Sequence, residues 1–209
     1  MGLLEKIAAQ LKQPDESILG KFVVGAMMCA TTVANDWTVA LMDIQPTDHV
    51  LEIGFGPGLT IKNVAKIVSE GFVAGIDCSE AMVRQARKRN AAAIQDGRVD
   101  LQYGDISASL PYEEHTFEKV FSTHCIYFWP QPLESVQELR RVLKPGGMIA
   151  TTVWTEDEFS MKHLAQTGLY AVYTAEELIR ILEEAGFSNI RFDTTSSIHA
   201  SAICAVGVK

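Results

Sequence analysis

The chain has 209 residues, 47% of them hydrophobic and 21% charged, with a formal net charge of −8 and a pI near 5.1. That length holds one domain with a sizeable core, and the composition is ordinary for a soluble globular protein. The acidic balance excludes a general nucleic-acid role, because neutralising phosphates takes clustered Lys and Arg. The one basic cluster, Arg84, Arg87, Lys88 and Arg89, reads as the solvated C-terminal half of a helix.

Four widely spaced cysteines, Cys29, Cys78, Cys125 and Cys204, form no CxxC pair. They predict reduced thiols in a cytoplasmic protein, with no disulfide framework and no metal site. Met1–Lys12 lacks the apolar core of a secretory leader. The most apolar run, Ile18–Ala34, is interrupted by Lys21 and is short for a membrane span.

Leu3, Leu4, Ile7 and Leu11 recur at helical spacing and predict a first amphipathic helix ended by Pro14. Asp15 or Ser17 can cap a second helix through Ile18, Leu19, Phe22, Val23, Met27 and Met28. It is apolar on more than one face, which fits a core-covering helix, a wall of an apolar substrate pocket, or a surface for lipid. Asn35 or Asp36 can cap a short third helix, Trp37–Asp43. Residues 1–45 thus read as an N-terminal helical cap ahead of a compact core, 46–209.

Val50–Ile53 predicts a buried strand that runs into Gly54, Gly56 and Gly58 and then a helix near Thr60–Ser69. Glycines at alternate positions allow a tight turn and a close approach to a ligand. Free N–H groups at the helix start favour an anionic group, so the loop predicts a nucleotide-type cofactor site at the carboxyl edge of a parallel sheet. Strand Phe72–Ile76 ends at Asp77, and Ser79 caps a helix Glu80–Ala93. Strand Val99–Tyr103 ends at Gly104-Asp105, and strand Phe117–Thr123 follows. Helix Leu133–Leu143 stops at Lys144-Pro145-Gly146-Gly147 before strand Met148–Trp154. Thr174 and Glu177 form a capping box for helix Ala175–Ala185. The last two strands, Ile190–Thr195 and Ala202–Val208, are linked too tightly for a crossover helix and must be antiparallel. The expected fold class is α/β, a doubly wound seven-stranded sheet with its last strand reversed.

A dinucleotide loop reads G-x-G-x-x-G, but Leu59 stands where its third glycine belongs, and Pro57 intrudes. Glu52-Ile-Gly54-Phe-Gly56-Pro-Gly58 instead resembles the E-x-G-x-G-x-G loop of the class I S-adenosylmethionine (SAM)-dependent methyltransferases. Asp77, Gly104-Asp105 and Leu143-Lys-Pro-Gly-Gly147 follow in that family's order, and the Arg140–Gly147 stretch is similar to its small-molecule branch, which includes quinone and lipid methyltransferases. The resemblance spans about Val50–Val208 and implies a Rossmann-like fold with SAM as cofactor. It implies that Gly54, Gly56 and Gly58 pack against the methionine part and that Glu52 faces the ammonium end. Asp77, with Cys78 beside it, would take the ribose hydroxyls, and Met82 would cover the adenine. Gly104, Asp105 and Ile106 would read the adenine edge, and backbone near Ser122, Thr123 and His124 would help hold the ammonium.

The partner implied is a small-molecule methyl acceptor; membrane contact is the less favoured alternative, and a non-catalytic SAM-binding subunit is another. His124 is the candidate general base, with a pocket-lining or structural histidine as the rival reading. Tyr127 can orient an acceptor or serve as packing. Phe22, Met27, Met28, Asn35 and Trp37 from the N-terminal helices, with Tyr127 and Trp154, are expected to wall an apolar or aromatic acceptor. His115, His163 and His199 have no partner that the sequence names.

Overall fold

The computed structural model describes residues 2–155, 168, 170–196 and 201–209. His163, His199 and the Met27 side chain lie outside the described residues. The seven strands are β1 (His49–Ile53), β2 (Phe72–Asp77), β3 (Val99–Tyr103), β4 (Phe117–Thr123), β5 (Leu143–Trp154), β6 (Ser188–Ser196) and β7 (Ser201–Val208). They form one sheet in the order β3-β2-β1-β4-β5-β7-β6. β1 to β5 are parallel, while β7 runs antiparallel to both its neighbours, as the short link before it requires.

Alternation along each strand sends its side chains to two cores. Leu51 and Ile53 join one cluster with Val120, Ile149 and Leu139, whereas Val50 joins the other with Phe121, Ala150 and Ile61. Both faces are therefore covered, as a doubly wound sheet demands. Leu51, Val120, Phe121 and Ile149 are fully buried, and each contributes about 1.5–3 kcal/mol from burial alone.

The described helices are α1 (Leu3–Lys12), α2 (Ile18–Leu41), α3 (Leu59–Ile67), α4 (Glu80–Arg89), α5 (Ala91–Gln95), α6 (Pro132–Val142) and α7 (Ala175–Glu184). Three elements differ from expectation. α2 is one continuous helix of 24 residues capped by Ser17, not two segments. Asn35 does not interrupt it, because the flanking Ala34 and Thr38 are buried against the sheet and the Thr38 hydroxyl meets Thr152 Oγ1 at 2.6 Å. The expected helix Glu80–Ala93 is split at Asn90, whose side-chain amide donates to the carbonyls of Gly58 and Ala86. β5 begins at Leu143 rather than Met148: Leu143 pairs with Phe117, and the Pro-Gly-Gly residues form an irregularity inside the strand, with Gly146 at φ 79°.

Candidate functional site

Parallel register aligns the strand ends. Ile53 lies beside Ile76 and Ser122, and Ile76 lies beside Gln102. The residues that follow, Gly54, Asp77, Gly104 and Thr123, therefore share one edge of the sheet. The loop after β1 turns through left-handed conformations at Gly54 (φ 73°) and Gly56 (φ 52°), which side chains disfavour. A Cβ on Gly54 would collide with Cys125, and one on Gly58 would press on Ala86 of α4 at 2.6 Å. A Cβ on Gly56 would meet nothing within 4 Å. Gly54 and Gly58 thus serve packing, while Gly56 opens onto the space above the loop.

Asp77 ties the loop to β2. Its Oδ2 accepts from the Gly56 N–H and its Oδ1 from the Ser79 N–H, both at 2.8 Å. Ser79 caps α4 through the Met82 N–H, and its hydroxyl donates to the Pro14 carbonyl at 2.6 Å. The Gln13 side chain donates to the Cys78 carbonyl at 2.7 Å. These bonds clamp the link between α1 and α2 onto the end of β2, so α2 passes over the strand ends. Val24 and Met28 then pack against Ala81 and Met82.

The result is a cavity of about 1160 Å³, its open mouth included. The glycine loop, Asp77, Asp105 and Met82 line one end; Val24, Met28, Asn35, His124, Phe128 and Trp129 line the other. Two carboxylates are buried in it. Burial pushes Glu52 up to about 8, with Asp77 adding to the rise and a hydrogen bond from Thr60 opposing it. Burial also raises Asp77, against the pull of the Ser79 and Gly56 amides. Glu52 Oε2 is buried without a partner. Two desolvated carboxylates and an orphaned oxygen fit a cationic ligand. SAM is such a ligand, cationic at its ammonium and its sulfonium. Each Asp77 oxygen keeps one lone pair beyond its amide, which suits ribose hydroxyls. Asp105, which also lines the cavity, accepts from the Ser107 N–H through Oδ1 at 2.8 Å.

Most residues expected at the cofactor line this cavity: Glu52, Gly54, Gly56, Asp77, Cys78, Met82, Gly104, Asp105, Ile106 and Thr123. Gly58 does not; it caps α3 and lets α4 approach. At the other end Met28 and His124 line the cavity, but Tyr127, Trp37 and Trp154 do not. Tyr127 is buried behind His124, and Trp154 stacks on the His124 ring at 4.1 Å. Trp37 packs into the second core, because on the helix it lies away from Met28. Phe22 is 75% exposed rather than a pocket wall. His115 is exposed on a loop. Sequence reasoning missed Leu11, Lys12, Pro14, Thr31 and Thr32, which line the cavity once the α1–α2 link is clamped to β2. The spacing of Val24, Met28, Thr31 and Asn35 on one helix face was the available signal.

His124 is neutral, since burial pushes it down to about 3. Among the described residues no group of three or more His, Cys, Asp or Glu has the arrangement of a metal site. Among them also, no helix is long and apolar enough to cross a membrane.

Comparison with known proteins matches residues 50–147 to a methyltransferase domain. The chain is 37% identical over 123 residues to a probable methyltransferase, ltbC, of Aspergillus luteorubrus, covering 56% of this chain and 43% of that protein. It therefore spans less than half the length of that relative. It is 27% identical over 188 residues to an uncharacterized methyltransferase, YdaC, of Bacillus subtilis, covering 90% of this chain and 98% of the other. A SAM-dependent methyltransferase structure from Aquifex aeolicus shares the fold, with a TM-score of 0.70 at 20% identity over 100% of this chain and 99% of the other. The glycine loop with Glu52, the acids at or after the ends of β2 and β3, the reversed β7 and these matches agree in their likeness: the chain resembles the class I SAM-dependent methyltransferases, and its residues 50–147 match a methyltransferase domain.

Proposed function

We propose that this chain moves a methyl group from SAM to an apolar or aromatic small molecule. The observation that carries this reading is a single cavity with a carboxylate-and-glycine end and an apolar end. SAM supplies a methyl group already activated on a sulfonium, so catalysis rests largely on orientation. Glu52 would balance the ammonium, Asp77 would hold the ribose, and Asp105 with the Ile106 N–H would read the adenine. Met82, only 2% exposed, supplies an apolar cover for the base. Val24, Met28, Phe128 and Trp129 would hold the acceptor by burial, with Asn35 as a polar interruption. Titration calorimetry with SAM and with its demethylated product, S-adenosylhomocysteine (SAH), tests the cofactor; binding of neither overturns the reading. Incubation with SAM and a metabolite extract, read for a mass gain of one methylene, then identifies the acceptor.

One observation favours a second reading, a lipid or quinone acceptor taken at a membrane surface. Ile18 and Phe22, one helical turn apart at the start of α2, are 90% and 75% exposed. Co-sedimentation with phosphatidylcholine vesicles, compared with an Ile18→Ser/Phe22→Ser double variant, decides it. Equal pelleting of the two proteins, or none, removes this reading.

A further inference from the structure

Four residues that line the cavity keep a buried polar atom without a partner: Asn35 Oδ1, Glu52 Oε2, Thr123 Oγ1 and His124 Nε2. Glu52 has a use in the reading above, as the balance of the SAM ammonium. The other three have none. Thr123 and His124 are 8% and 9% exposed. Asn35 stands inside the 24-residue helix α2 and caps neither end of it. Asn is a poorer helix former than Ala or Leu, so its presence there costs helix stability with no cap in return. A buried polar atom left unpaired is also destabilising. Three such atoms in one cavity fit a ligand group that meets them.

Register gathers the three residues. Thr123 lies opposite Thr152 in the β4–β5 pair. The His124 N–H donates to the Thr152 carbonyl at 2.8 Å. The Thr38 hydroxyl meets Thr152 Oγ1 at 2.6 Å, which fixes α2 over this point. Asn35 is three residues before Thr38, and residues so spaced are neighbours on a helix surface. Asn35, Thr123 and His124 therefore gather about Thr152 at the end of β4. The His124 ring is held there: its Nδ1 lies 3.2 Å from Tyr127 Oη, and Trp154 stacks on it with centroids 4.1 Å apart.

We propose that Asn35, Thr123 and His124 form a polar subsite for a hydroxyl on the methyl acceptor, so that the acceptor is an alcohol or phenol with an apolar body. The inference deepens the methyl-transfer reading and rests on it. A hydroxyl carries one proton and two lone pairs, so it donates to Asn35 Oδ1 and still accepts. Nε2 of a neutral imidazole donates in one tautomer and accepts in the other. The acceptor hydroxyl takes the proton of the first, and the Thr123 hydroxyl, which rotates, supplies a second proton for the other. The subsite is therefore satisfied in either tautomer. A hydrocarbon leaves all three atoms unpaired. An ether or ketone only accepts and leaves Asn35 Oδ1 unpaired. An ammonium adds a cation where the acidic lining residues, Glu52, Asp77 and Asp105, are already matched to SAM. Val24, Met28, Phe128 and Trp129 remain for the apolar body.

Calorimetry of the SAH complex with 1-naphthol and 1-methylnaphthalene tests the subsite, because the two probes share a shape and differ in the hydroxyl. The unmodified protein should bind 1-naphthol about tenfold more tightly, the worth of one hydrogen bond. Asn35→Leu and Asn35→Ala should each erase that preference, keep SAH affinity, and raise the thermal midpoint of the ligand-free protein. Equal affinity for the two probes in the unmodified protein overturns the proposal. So does a preference that survives in both variants, or a midpoint that falls in both, which would make Asn35 a structural residue. 1-Naphthylamine bound as tightly as 1-naphthol overturns the choice of a hydroxyl. If SAH binds and neither naphthalene does, the hydroxylated apolar class is wrong. Failure of SAH to bind counts against methyl transfer itself.

Discussion

The two ends of the cavity are built in opposite ways. At the proposed cofactor end, the lining comes in short runs at successive strand ends, and backbone amides hold the side chains: Asp77 is fixed by the N–H groups of Gly56 and Ser79. At the acceptor end, the lining comes from residues far apart in the chain, Met28 on α2 and His124 after β4, and stacked aromatic rings from β5 and the segment before α7 support it. The proposed cofactor end would hold its ligand through charge and hydrogen bonds. The acceptor end is shaped by packing, which specifies volume and the placement of a few polar atoms. Substitutions at the first should damage cofactor binding, and substitutions at the second should spare it.

The largest effect is expected from Gly54→Val. Its φ of 73° and the adjacent Cys125 leave no room for a side chain. SAH binding should be lost in calorimetry, and the thermal midpoint should fall. Retained binding would show that Gly54 is not at the cofactor. Asp77→Asn comes next. It removes a charged acceptor from the Gly56 and Ser79 amides, each such bond being worth about 1.5–3 kcal/mol. SAH affinity should drop roughly 10- to 100-fold, measured the same way.

Glu52 gives a pH test. Its folded pKa of about 8 lies above the ordinary 4.5, so the native state binds the extra proton between those values. Stability of the cofactor-free protein should therefore fall as pH rises through that window. His124 acts at the other side: its folded value of about 3 lies below 6.5, so stability is lost as pH falls from 6.5 toward 3. A cation beside Glu52 restores its charge, so SAM binding at pH 7 should release up to one proton. Calorimetry in buffers of different ionisation enthalpy measures it, and Glu52→Gln should remove that part of the release. An unchanged release in Glu52→Gln would place the ammonium elsewhere.

The smallest effect is expected from Met28→Ala. It removes apolar lining that faces the acceptor end and also packs against Met82. Acceptor affinity should fall by a factor of about 3–10, because less apolar surface is buried against the side chain, while SAH affinity, which meets Met28 only through Met82, falls less. A comparable loss for SAH would erase the distinction between the two ends.

Much of the cofactor end is legible in the sequence, because a strand, a glycine loop and a helix are local events. Glu52, Gly54 and Gly56 are all within five residues, Asp77 ends the second strand, and Asp105 follows the third by two residues. Gly58 reads as a ligand contact in the sequence, but its role is to let Ala86 approach. At the acceptor end, Trp37, Tyr127 and Trp154 carry the aromatic bulk expected of a pocket wall, and none lines the cavity. Which face of a helix meets a pocket depends on its rotation against the sheet, and that rotation is set by distant contacts such as Thr38 with Thr152.

By itself the sequence determined the alternation of strands and helices, the reversed last strand and the glycine turn after the first strand. Each follows from local periodicity, link length or the conformations only glycine adopts. Only the tertiary structure decided that α2 is a single helix, that Gln13 and Pro14 clamp onto Cys78 and Ser79, and that His124 is held by Tyr127. Those features join residues 3 to 114 positions apart, and close packing and the pairing of buried polar groups, rather than local propensity, select them.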